Sequence, residues 1–83
     1  MENHSKLTVF RGIIEYILDS TCYTLKNIAE FSNAPISSIR SIYIQSRLPD
    51  NFKSEVELLQ LYQIILEIHL NREKLSCLLR HNS

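Results

Sequence analysis

The side chains equipped for chemistry are few and scattered. The thiols are Cys22 and Cys77, and two cysteines in 83 residues do not make a disulfide scaffold. No CxxC or Cys/His spacing makes a zinc site, so both read as reduced, partly buried thiols. His4, His69 and His81 stand far apart, with no carboxylate at ligand spacing. There is no Ser/His/Asp or Cys/His arrangement and no Gly-rich phosphate loop. Tyr16, Tyr23, Tyr43 and Tyr62 suit core or interface positions better than catalytic ones. The sequence therefore predicts a non-enzyme that needs no metal and no cofactor. What remains is charge and hydrogen bonding. Ser37, Ser38, Arg40 and Ser41 fall in one short stretch, with Thr24 and Lys26 before it and Arg47 after it. An arginine among small hydroxyls on one helix face has donors to offer a polar target. The same residues also suit an ordinary solvated helix surface.

The elements that carry these residues are helical. Phe10, Ile13, Ile14, Ile17 and Leu18 recur at spacings of three and four, which predicts a helix over Lys6–Asp19 with Ser5 as its cap. A second helix is expected over Leu25–Ser32, capped by Thr24 and ended by Asn33, which tolerates a left-handed backbone. Pro35 suits the first turn of a third helix, Ile36–Gln45, with Ile36, Ile39, Ile42 and Tyr43 apolar. Ser46–Phe52, marked by Pro49, Asp50 and Asn51, reads as a loop. A fourth helix is expected over about Lys53–His69. Val56, Leu59, Tyr62, Ile65 (or Leu66) and His69 lie along one face, Leu58 and Leu61 beside them, and Glu55 and Glu57 near its start. A fifth is expected over Arg72–Leu79 after Asn71, with Leu75, Leu78 and Leu79 on its apolar side.

Composition sets the bounds. The length fits one domain over 1–83, its core about 6–79, and 45 % hydrophobic residues suffice for one core. One Gly and two Pro disfavour a turn-rich β fold. Nine basic and nine acidic residues give zero formal net charge, which argues against a strong non-specific nucleic-acid binder. The charge is unevenly spread. From Thr24 to Pro49, Lys26, Arg40 and Arg47 face Glu30 alone; from Asp50 to Asn71, Lys53 faces Asp50, Glu55, Glu57 and Glu67. Met1–Thr8 is polar and mixed in charge, unlike a secretory leader, and no apolar run reaches membrane-spanning length. A cytoplasmic protein without membrane association is the expectation.

The stretch Leu25–Ile42 carries a spacing with a physical cause. Two helices crossing closely need a small residue where they touch, and Ala29 supplies it. The turn between them needs a residue that accepts positive φ, and Asn33 stands there, four residues on. The second helix needs apolar anchors on its inner face, and Ile39 and Ile42 supply them, with Ile28 and Ala34 completing the contact. The same spacing can arise as plain packing in any helical bundle. It resembles the helix-turn-helix of the lambda repressor/Cro-like (Xre-type) family, and the resemblance extends over about Phe10 to Leu79. Asn33 stands where Gly is usual in that family, the segment between Pro49 and Val56 is a little long, and Ile36 and Ile44 fall where polar base readers are usual.

The resemblance implies an all-α, compact five-helix domain with a central helix-turn-helix. It implies a sequence-specific DNA-binding transcriptional regulator, a homodimer on double-stranded DNA, with helix 36–45 in the major groove. Ser37, Arg40 and Ser41 would then read bases, Arg40 foremost because its fork matches guanine O6 and N7. Thr24, Lys26 and Arg47 would hold phosphate. The alternative is a protein-interaction module, an antirepressor or adaptor, that keeps the fold without binding DNA and meets its partner through Ile36 and Ile44.

Overall fold

The computed structural model describes residues 2–81, with side chains from Ser5 to Asn71. It holds four helices: α1 (Glu2–Ser20), α2 (Leu25–Phe31), α3 (Ile36–Tyr43) and α4 (Glu55–His81). No strand occurs among the described residues. α1 and α2 pack on each other and form the middle of the molecule. α3 packs on both and α4 packs on both, and α3 and α4 make no close backbone approach to each other among the described residues.

The core is largely branched aliphatic. Ile14, Ile17, Ile28, Ile39, Ile42 and Leu58 are completely buried, with Phe10, Ile13, Ala29, Leu61 and Ile65 around them. Burying each of the large residues stabilises the fold by about 1.5–3 kcal/mol. All four helices contribute, so none of them can leave without opening the others' apolar faces.

Two expected elements differ. The first helix begins at Glu2 rather than Lys6, and Ser5 lies inside it. Nothing between Glu2 and Lys6 breaks a helix, because Gly and Pro are absent there. The expected fourth and fifth helices are one continuous helix, α4, which runs through Asn71 without interruption. No Gly or Pro follows Pro49, and an interior Asn costs only about 0.7 kcal/mol against Ala. The side chains of Leu75, Leu78 and Leu79, the expected apolar side of the fifth helix, lie outside the described residues. α4 also turns a different face inward than its spacing suggests. Leu58, Leu61 and Ile65 are buried, with Tyr62 and His69 half-buried beside them, whereas Val56 and Leu59 are exposed.

The α2–α3 connection is closed by local bonds. Asn33 has φ of 57°. Its N–H donates to the Glu30 carbonyl at 3.2 Å, and the Ala34 N–H donates to the Ala29 carbonyl at 2.9 Å. This pair of bonds around a left-handed residue is a Schellman closure. Inside it, the buried Ser32 hydroxyl donates to the Ile28 carbonyl at 2.6 Å. From outside, the Ser54 hydroxyl donates to the Asn33 carbonyl at 3.0 Å. Ser54 thus ties the start of α4 to the turn, a bond between residues far apart in sequence.

Two outcomes follow for stability. Asn33→Gly should leave the urea midpoint within about 1 kcal/mol of the parent, because Gly adopts positive φ freely but loosens the unfolded chain. Asn33→Val should destabilise by at least ~1–2 kcal/mol, the cost of a left-handed L-residue. Ser54→Ala should lose about 0.5–1.5 kcal/mol by stranding the Asn33 carbonyl. Equal midpoints for all three variants in urea unfolding would contradict the role given to this turn.

Candidate nucleic-acid interface

The interface is built outward from α3. Ile39 and Ile42 are its completely buried inner row. At 100° per residue, Ser37 and Ile44 stand opposite this inner row, Arg40 and Ser41 about 50° to either side, and Ile36, Arg40 and Ile44 follow one another along an i, i+4 ridge. Ser37 and Arg40 are exposed, Ser38 and Ser41 half-buried. Ile36 and Ile44 retain 39 % and 63 % of their surface, so the arginine stands between two exposed isoleucines. The structure therefore brings Ser37 and Arg40 to the outer surface and holds Ser41 at its margin.

The ends of α3 have separate causes. Pro35 precedes the helix rather than lying in it: it is the cap residue, with φ −64° and ψ 140° and no side-chain cap bond. At the other end the helix stops at Tyr43 rather than at the expected Gln45, and Ile44 is its cap. Ile44 and Gln45 both donate their N–H to the Arg40 carbonyl, at 2.8 and 3.4 Å, and Arg47 donates to the Ser41 carbonyl at 2.9 Å. Ser46, with φ of 52°, allows this widening turn. The consequence is that the exposed Arg47 follows directly on the end of α3.

α2 carries the flanking residues. Thr24 caps it, and the cap is a closed box. The Asn27 N–H donates to the Thr24 hydroxyl oxygen at 3.2 Å, and the Thr24 N–H donates to Asn27 Oδ1 at 3.0 Å. The Thr24 hydroxyl oxygen also lies 3.1 Å from Asn27 Oδ1. Thr24 is therefore engaged in the cap at the start of α2. Lys26 is exposed two residues on. Among the described residues the side-chain ion pair is Lys6–Glu55, at 3.6 Å, which leaves Lys26, Arg40 and Arg47 without intramolecular carboxylate partners.

Arg11 escapes the sequence reading. Its Nε donates to the Tyr43 carbonyl at 3.2 Å, and its guanidinium sits 5.7 Å from the centre of the Tyr43 ring. Arg11 thereby closes the last turn of α3 from α1 and fixes the helix end beside Ile44. The only sequence signal for it is a positive charge among the polar positions of α1, which says nothing about a contact 32 residues away.

Among the described residues no three of His, Cys, Asp and Glu form a metal-sized cluster, and no helix is long and apolar enough to cross a membrane. Comparison with protein-family models, with curated proteins and with solved structures finds no match for the chain.

Proposed function

We propose that the chain is a sequence-specific DNA-binding regulator, acting as a homodimer, that presents the outer row of α3 to the major groove. The observation that carries this reading is Arg40. It is exposed, it lacks an ion-pair partner among the described residues, and it stands on a short helix anchored by Ile39 and Ile42. A guanidinium held this way offers its fork to guanine O6 and N7. Ser37, nearer the start of α3, reaches the neighbouring base edge, and Ser41 lines the margin. Lys26 and Arg47 hold phosphates on the two sides. Thr24 serves this arrangement through the cap that orients α2. Arg11 acts as a positioning residue, holding the end of α3 through the Tyr43 carbonyl. Two copies supply two half-sites, because one short helix reads too few base pairs for useful specificity.

One observation favours a second reading, a protein-interaction module. Ile36 and Ile44 flank Arg40 on the same row and are exposed. An apolar row with a central cation fits a protein groove with a carboxylate at its floor as well as a DNA groove.

Selection from a random double-stranded DNA library decides between them. On the DNA reading, the chain enriches a guanine-containing site. Arg40→Ala then loses ~1–3 kcal/mol and relaxes preference at that base. No enrichment at low salt removes the DNA reading, and enrichment unchanged by Arg40→Ala removes Arg40 as the reader. Lys26→Ala and Arg47→Ala should weaken binding evenly across sequences. Each should reduce the slope of log affinity against log salt by about one.

A further inference from the structure

α4 is longer than the body it packs on. Its 27 residues span about 40 Å at 1.5 Å each, whereas the molecule is 26 and 20 Å across its two shorter axes. The radius of gyration is 15.0 Å, against about 12 Å for a compact chain of this length. The buried residues of α4 end at Ile65. His69, whose Nε2 lies 3.3 Å from the Ser20 carbonyl, still touches the body, while Leu70 and Asn71 are exposed. The helix then continues to His81, about three more turns. A helical segment of that length is marginal in water without packing. Uncovered apolar surface leads into it. Phe31, also exposed, leans on the Tyr23 ring 5.0 Å away and so has cover within its own chain. On α4, Ile64 and Ile68 keep 56 % and 49 % of their surface.

These two isoleucines open a regular spacing. From Ile64 and Ile68 steps of three and four lead on through Asn71, Leu75 and Leu78. Alternating steps of three and four mark the core positions of a heptad. Leu61 fits the same register but is buried in the body, so the free seam begins at Ile64. Two other apolar registers run along α4. The one through Ile65 and Ile68 takes in Arg72, and the one through Leu59, Leu66 and Leu70 takes in Gln63 and Glu73. In a parallel pair of identical helices either would set a charge against its own like at the seam. The register of Ile64 holds no charge.

Its one polar member selects the occupant. In a parallel, in-register pair Asn71 meets Asn71 of the other copy, and a carboxamide carries both donors and an acceptor, so the two satisfy each other. In an antiparallel pair each d layer faces an a layer, and Asn71 would meet an aliphatic residue with its amide unpaired. The flanks agree. With Ile68 and Leu75 at a, Glu67 falls at g and Arg72 at e. In a parallel pair g of one helix meets the e five residues on in the other. Glu67 and Arg72 therefore match, once on each side of the two-fold axis. A foreign helix would have to supply an amide and both charges at these places. A second copy carries them by symmetry.

We propose that α4 pairs with α4 of a second copy of this chain as a short parallel coiled coil, with Ile64, Ile68, Asn71, Leu75 and Leu78 at its seam. This names the interface of the homodimer proposed above and rests on that part of the reading; it does not require DNA.

Sedimentation equilibrium of the full chain without DNA, over about 1 µM to 1 mM, should show reversible pairing. Ile68→Asp should weaken it at least about tenfold. Because a lost fold could give the same result, charge reversal supplies the second arm. Glu67→Arg and Arg72→Glu should each weaken self-association several-fold. Mixed in equal parts, the two variants should pair with each other in preference to themselves, in excess of random mixing by native mass spectrometry. Misfolding cannot produce that recovery, nor can an antiparallel pair, in which g faces g and e faces e. A monomer throughout the range, a dimer indifferent to Ile68→Asp, or random mixing of the charge variants would each overturn the proposal. A monomer that still enriches a DNA site overturns this interface and leaves the DNA reading standing. A chain that passes all three arms and enriches no site does the reverse.

Discussion

Everything that α3 presents depends on the left-handed residue between α2 and α3. Asn33 reverses the chain within four residues, and two backbone bonds close the reversal, Asn33 to Glu30 and Ala34 to Ala29. Only with that closure does Ala29, small enough for close approach, face the inner row of α3. Only then do Ile28, Ile39 and Ile42 share one buried volume. The turn is fastened from both sides, by the Ser32 hydroxyl within α2 and by the Ser54 hydroxyl from the start of α4. A helix as short as α3 has almost no stability of its own. Its direction is a property of this turn and of the isoleucines beneath it, and the side chains on its outer row inherit that direction.

Features with a local cause are legible in the sequence; features with a distant cause are not. Asn33, Ala29, Ile39 and Ile42 are identified by spacing because the turn and the helix contact are made by neighbours. Thr24 is identifiable as a cap, although its partner is Asn27 where Glu or Gln is more usual. The inward face of α4 is a different matter. Between Val56 and Leu70 ten of fifteen positions are apolar, so periodicity offers more than one candidate stripe. The choice of Leu58, Leu61 and Ile65 over Val56 and Leu59 is made by where α1 and α2 already are. Ser54, Arg11 and the Tyr23–Phe31 pair act across space and leave no sequence signature. The expected break at Asn71 rests on one residue with a mild preference, and the absence of Gly and Pro outweighs it.

Zero net charge in this chain is a partition. α3 carries one cation and no anion, while α4 opens with Glu55, Glu57 and Glu67 before any lysine or arginine and carries Arg72, Lys74 and Arg80 against Glu73 beyond Asn71. The two helices pack on α1 and α2 without a close backbone approach to each other among the described residues. At long range such a molecule attracts neither acid nor base strongly. At distances of about a Debye length, ~8–10 Å, its two sides behave as separate surfaces of opposite preference.

That separation bears on the isoleucines beside Arg40. In a strongly basic protein, association with a phosphate backbone is driven at long range and tolerates poor fit. A neutral chain lacks that drive, so any target of α3 must be won at contact. There Ile36 and Ile44 matter, because their exposed surface excludes water around the guanidinium once a partner closes over it. A hydrogen bond made in that drier setting is electrostatically stronger, and leaving it unmade costs more. On the proposed function, the row Ile36–Arg40–Ile44 discriminates at short range rather than adheres. A guanine in a groove and a carboxylate on a protein are alike in this respect.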